Sequence, residues 1–247
     1  MKLARVRTDD GVVTGEYADG TVITDEGRSY AADEDDLLAP CEPSAMYCVG
    51  RNFAATLDQM DYDAPEEPDF FIKPPVSVLA PGAPIEYPEW TEELTYAGEL
   101  AAVMGERCHD IRQEEVDDVL LGYTVLNDLD ALDQQGRTAR KAFDCSGPLG
   151  PYVETDVDPG NMDMETYVAG ERRQSANTDQ MFFGPREIVA YLSRRFTFLP
   201  GDVVSFGSPA NPGLLDPGDE VEITYEGVGT LRNRVADSGA DADGREE

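Results

Sequence analysis

Residues 122–151 read GYTVLNDLDALDQQGRTARKAFDCSGPLGP, and the rest of the chain is best understood outward from them. An apolar strand runs directly into Asp128, and Asp130 lies two residues on, facing the same side if the strand continues. The segment closes on a Gly- and Pro-punctuated strand. Upstream, TYAGELAAVMG (95–105) embeds Glu99 among strand residues, where a carboxylate is costly to bury unless a cation or hydrogen-bond donors meet it. Lys73 in FFIKPP and Lys141 in ARKAFD are two of only three lysines, the third being Lys2. A lysine kept inside an apolar strand invites a specific reason, with snorkelling to the surface as the plain alternative.

Further strands flank this centre: MYCVG, DFFIKPP and VSVLAPG before it, and GPYVET, DVVSFGS, EVEITYEG and GTLRNRV after it. Residues 1–45 read as a small β-rich N-terminal subdomain, with strands Leu3–Arg7, Val12–Tyr17 and Thr21–Thr24 and Asp-Gly turns at 10–11 and 19–20. Helical periodicity is confined to Gln113–Leu121 and Pro185–Arg195, the second opened by a proline that suits a first helical turn. The small, charged segment 236–247 predicts a disordered acidic tail. The expected class is mainly β, or α+β with few short helices, over a core spanning 46–235. Pattern alone leaves sandwich, roll and barrel open.

The 247 residues carry 19 Lys and Arg against 51 Asp and Glu, a net charge of −32. Repulsion of that size strains a compact state at ordinary ionic strength. It is relieved when the Debye length falls to about 3 Å at 1 M salt. The acids are spread along the chain, so the composition reads as halophilic, and an arbitrary acid is solvated surface. Phosphate contacts need clustered positive charge, so a chain this acidic disfavours nucleic acid and anionic membranes as partners. With no apolar run of spanning length, and with a start, MKLARVRTDDG, that lacks the apolar stretch of a signal peptide, a cytoplasmic protein is expected. Cys41, Cys48, Cys108 and Cys145 match no zinc spacing and are expected as buried small residues. His109, the single histidine, is expected at the surface.

The ordered series YCVGRNF, DFFIKPP, Y-x-GELAAVMG, GYTVLNDLDALDQQ, KAFD…GPLGP, GERRQSANTDQM and LPGDVVSFGSPANPG resembles the fumarylacetoacetate hydrolase family over about residues 46–235. The resemblance implies a roll of mixed sheets and a homodimer. It also implies a divalent cation (Mg²⁺, Mn²⁺ or Ca²⁺) on carboxylates and a small 2-oxo or β-dicarbonyl carboxylic acid as substrate. Hydrolysis, decarboxylation and tautomerisation then share one metal-stabilised enolate. Carried onto this chain, Glu99 and Asp128 are the implied metal ligands. Asn52, Lys73 and Ser208 are implied for substrate binding, and Gln135 and Lys141 for catalysis.

Four positions depart from the family pattern. Ala97 stands where the first metal Glu would be, Thr56 and Gln59 where a His/Glu base would activate water, and Leu132 where an Arg is usual. Asp130 is expected to replace the lost ligand, with Glu92 or Glu93 as alternatives. Without the water-activating base, a lyase or isomerase outcome is favoured over hydrolysis. Lys141 would be the proton shuttle, its pKa lowered by burial. The rival reading is a catalytically inactive family member kept as a ligand-binding or assembly protein. A third is a site rebuilt around Asp130, Asp133 or Asp144.

Overall fold

The computed structural model describes residues 1–236 except 10, 62, 211 and 212; the expected tail lies, but for Ala236, outside these described residues. Strands β1 (Lys2–Thr8), β2 (Gly11–Ala18), β3 (Thr21–Ile23) and β4 (Ser29–Ala31) pair in antiparallel succession. The β2–β3 turn places Asp19 and Gly20 at φ 48° and 74°, the left-handed pair that matches strand twist in a two-residue hairpin.

Strand β5 (Met46–Gly50), helix α1 (Ala54–Met60), β6 (Asp69–Lys73) and β7 (Val78–Leu79) follow. Next come β8 (Leu94–Thr95), β9 (Gly98–Met104), α2 (Val116–Val119), β10 (Leu120–Asn127), β11 (Asp130–Ala131) and α3 (Arg137–Lys141). The last third holds β12 (Gly147–Glu154), β13 (Asp163–Val168), β14 (Glu171–Asn177), α4 (Pro185–Ser193), β15 (Val203–Ser205), β16 (Glu220–Tyr225) and β17 (Gly229–Arg234). The protein is mainly β with few short helices, as the strand pattern predicts.

One large sheet runs β4-β3-β2-β1-β12-β10-β9-β15-β5-β6, with β7 beside β12; β14-β13-β16-β17 and β8-β11 form two smaller sheets. The sheets are mixed, since β15–β5 and β12–β7 are parallel pairs. The N-terminal hairpins have their own apolar cluster of Ala4, Val6, Val22, Leu37 and Tyr152. They nevertheless share the main sheet through β1–β12 pairing.

β9 lies between β10 and β15 and is buried at every residue. Leu100, Ala102 and Met104 pack with Ile223, Tyr225 and Leu231 of the four-stranded sheet and with Ile188 and Leu192 of α4. Ala101 and Val103 turn the other way, toward Met46, Leu126 and Leu149. Strand alternation puts Glu99 with this second set.

Some sequence expectations are corrected. The helix expected over Gln113–Leu121 shrinks to a 3₁₀ turn and Val116–Val119, because Leu120 pairs with Met104 and opens β10. The hairpin β13–β14 is unannounced in the sequence: β13 buries only alternate residues and β14 buries only Gln174, so the apolar signal is thin. Cys41, Cys48 and Cys108 are buried, whereas Cys145 is half-buried. His109 is exposed, as expected. No helix among the described residues is long and apolar enough to cross a membrane.

Candidate active site

Glu99 enters the site from the buried centre of the main sheet. Its Oε2 accepts hydrogen bonds from the Ser205 hydroxyl at 2.5 Å and the Gly207 amide at 3.3 Å. Gly207 holds φ 87°, and a Cβ there would lie 3.0 Å from that of Asn52, so glycine is what lets this amide approach. Burial, and then the charge of Asp128, push the Glu99 carboxyl up to about 8.

Asp128 leaves the end of β10, with its amide donating to the Ala97 carbonyl at 2.9 Å. Its carboxylate sits between two ammonium groups: Lys73 at 2.9 Å from Oδ1, and Lys141 on Oδ2. Burial alone would raise its pKa, but Lys141 and Lys73 together outweigh burial and hold it below the usual carboxylate range. The corresponding contest at Lys141 ends the other way from the expectation. Burial lowers its pKa, yet Asp128 and Asp130 raise it further, so Lys141 stays an ammonium above the ordinary lysine value. It is a poor proton shuttle and a good anion partner.

Asp130, at the start of β11, receives both Nε and Nη2 of Arg140, at 2.8 and 2.6 Å, and Lys141 at 3.2 Å. Arg137 makes the same two-pronged contact with Asp69, 2.7 Å on each oxygen, and that guanidinium depresses the Asp69 pKa. Helix α3 therefore delivers three cations, Arg137, Arg140 and Lys141, to one wall.

These groups border a cleft of about 700 Å³. Its wall includes Glu99, Asp128, Asp130, Arg137, Arg140, Lys141 and Ser208, with Phe71, Tyr96, Pro209 and Leu214 as apolar surface. Thr56, Gln59, Ala97 and Leu132, the four departures from the family pattern, all lie on this same wall although they span positions 56 to 132.

Other sequence candidates are placed elsewhere. Asn52 is fully buried and spends its amide on backbone: Nδ2 donates to the Phe183 and Phe206 carbonyls at 3.0 and 2.9 Å, and Oδ1 accepts from the Phe183 amide at 2.9 Å. Lys73 is equally buried, and besides Asp128 it donates to the Leu129 and Ser146 carbonyls at 3.2 and 2.9 Å, to the Ser146 hydroxyl at 3.1 Å, and to the Lys141 carbonyl. Neither side chain borders the cleft, and Gln135 is exposed outside it. Ser208 does border it, its hydroxyl accepting from Gln174 at 2.8 Å. Glu92 and Glu93 are exposed away from the wall, and Asp133 is tied to Thr91 at 2.6 Å. Sequence reading missed Arg140, Arg137 and Gln174. The available signal was RTARK itself, three cations in five residues of a chain that carries 51 acids.

The donor set does not fit a resident divalent cation. Asp128 Oδ1 accepts no hydrogen bond among the described residues but is ion-paired with the Lys73 ammonium at 2.9 Å, Oδ2 holds Lys141, both Asp130 oxygens hold a guanidinium, and Ala97 supplies nothing. Among the described residues no three His, Cys, Asp or Glu side chains converge closely enough to hold a metal ion.

Mixed sheets thus carry a strand-borne carboxyl beside an Asp–Lys cluster, in a cleft whose wall holds both carboxyl groups and the cations of α3. The family model described as fumarylacetoacetate (FAA) hydrolase C-terminal matches residues 45–236, and the chain belongs to the fumarylacetoacetate hydrolase family. A 5-carboxymethyl-2-hydroxymuconate delta-isomerase from Mycobacterium smegmatis superposes with a TM-score of 0.88 at 36% identity, covering 97% of this chain and 100% of that one. An oxaloacetate tautomerase of Bacillus subtilis (strain 168) is 34% identical over 225 residues, 83% of this chain and 75% of that protein. Fumarylpyruvate hydrolase from Pseudomonas aeruginosa, solved in complex with Mn²⁺ and pyruvate, superposes with a TM-score of 0.75 at 31% identity, over 90% of this chain and 99% of that one.

Proposed function

We propose that this protein is an enzyme that binds a small oxo-carboxylic acid in the cleft and moves a proton between carbon and oxygen, as a tautomerase or isomerase does, without hydrolysing a C–C bond. The observation that carries this reading is the pairing of a buried carboxyl, Glu99, with Thr56 and Gln59 on the same wall. Thr56 and Gln59 cannot take a proton from water near neutrality, so the cleft has no evident way to make a nucleophile. Glu99, pushed up to about 8, carries a proton there and can exchange it.

Arg140 and Lys141 supply positive charge for the substrate's carboxylate and its enolate oxygen. In the enol-to-keto direction Glu99 gives its proton to carbon, the enol hydroxyl loses its own to solvent, and Glu99 is then reprotonated from solvent. Ser205 and Gly207 hold the Glu99 carboxyl in place throughout. The relatives named as a tautomerase and an isomerase support this class of chemistry.

The test is an assay in multimolar KCl, following loss of the enol of oxaloacetate by absorbance alongside cleavage of an acylpyruvate and release of CO₂. Faster enol loss with the acylpyruvate intact is expected. Acylpyruvate cleavage would refute the reading, and CO₂ release would replace it with decarboxylation. Oxaloacetate binding with no turnover at all would favour a non-catalytic ligand binder, a reading supported by the gathering of all four family departures on this one wall.

A further inference from the structure

We propose that this cleft works without a divalent cation, the Arg140 guanidinium and the Lys141 ammonium gripping the oxo-acid's oxygens in its place. The inference rests on the reading of the cleft as a substrate site and goes beyond it by putting side-chain cations in the place of a metal. Three cations, Lys73, Lys141 and Arg140, already face three carboxyl groups, Glu99, Asp128 and Asp130. Asp128 and Asp130 are already paired with side-chain cations. A dication bound on them would have to displace a buried ammonium or a guanidinium, and burying uncompensated charge is costly.

The position of Asp130 sharpens the point. Its two oxygens take Nε and Nη2 of Arg140, which fixes the plane of the guanidinium and leaves Nη1 with no hydrogen bond among the described residues. Arg140 borders the cleft with about a third of its side chain exposed, 34%. A planar guanidinium fixed along one edge and open at the other suits a carboxylate or an adjacent keto and carboxylate pair. Lys141, bridging Asp128 and Asp130 on the same wall, places a second cation within the cleft. Asp130 is accordingly a positioning residue for Arg140. The carboxylate absent at position 97 and the carboxylate present at 130 belong to one rearrangement, which exchanges an external cation for a covalently attached one.

The full-length protein in multimolar KCl provides the test, with Mn²⁺ and oxalate as probes. Electron paramagnetic resonance of free Mn²⁺ should show none taken up by the protein. Calorimetry should show oxalate binding that is unchanged by a chelator. Arg140→Gln should weaken oxalate by about tenfold or more, the scale of losing a charge-assisted contact, and Asp130→Asn should weaken it in the same direction while the unfolding transition persists. Stoichiometric Mn²⁺ uptake, oxalate binding that requires added metal, or oxalate affinity indifferent to Arg140→Gln would each overturn the proposal. The enol assay reports separately: wild-type protein that binds oxalate without metal but does not speed enol loss sinks the tautomerase reading and leaves this one standing.

Discussion

Glu99 gives the sharpest consequence at the level of a single residue. A free glutamate titrates at about 4.3, whereas burial and the neighbouring Asp128 charge bring this one up to about 8. Between those values the folded state holds a proton that the unfolded state releases, so stability falls as pH rises across that window and levels off above it. Glu99→Gln removes the titration, and the thermal midpoint of the variant should be flatter between about pH 4.5 and 8 than that of the wild type, measured by calorimetry at constant KCl. Glu99 and Asp128 were legible in the sequence because a carboxylate inside an apolar strand is anomalous wherever it occurs. Asn52 was not legible in the same way. Its amide is consumed by the backbone at Phe183 and Phe206, more than 130 residues distant in sequence for either, and no local pattern announces such partners. Arg140 was passed over because an arginine on a short polar helix looks like surface until Asp130 is found opposite it.

At the level of the element, β9 sets the geometry of the cleft. It begins with a glycine because the two sheets approach there: a Cβ on Gly98 would come within 2.6 Å of the Thr166 hydroxyl and 2.9 Å of an Ile223 methyl. Gly98→Ala should therefore cost about 1–3 kcal/mol through overpacking, read from denaturant midpoints, and should lower turnover by shifting Glu99 against Ser205. The long apolar strands were readable from composition alone, since β9, β10 and β12 are buried along nearly their whole length. The hairpin β13–β14 escaped because its outer face is charged and its inner face contributes few apolar residues. The helix expected at Gln113–Leu121 was overread for the opposite reason: Val116, Val119 and Leu120 are apolar at helical spacing, yet the ladder to β9 claims Leu120. Periodicity reports which residues seek burial, and the neighbouring strand decides in what conformation they find it.

At the level of the whole molecule, the net charge of −32 is spread over a surface with few compensating cations, while the most buried ion pairs among the described residues gather at the cleft. We expect the thermal midpoint to climb steadily from dilute buffer to multimolar KCl as screening shortens the reach of surface repulsion. Differential scanning fluorimetry across a KCl series checks this, and a midpoint indifferent to salt would remove the halophilic reading. The cleft should respond far less, because buried pairs are screened much less than exposed ones. One arrangement already described bears on how the molecule opens. The Lys73 ammonium touches oxygens at residues 128, 129, 141 and 146, so a single tethered charge fastens both ends of the segment that carries Arg137, Arg140 and Asp130. Such a clasp cannot be released one contact at a time without stranding a bare ammonium in the interior. The backbone amides from 129 to 146 should then trade hydrogen for deuterium in one concerted event, with no graded fraying from either end.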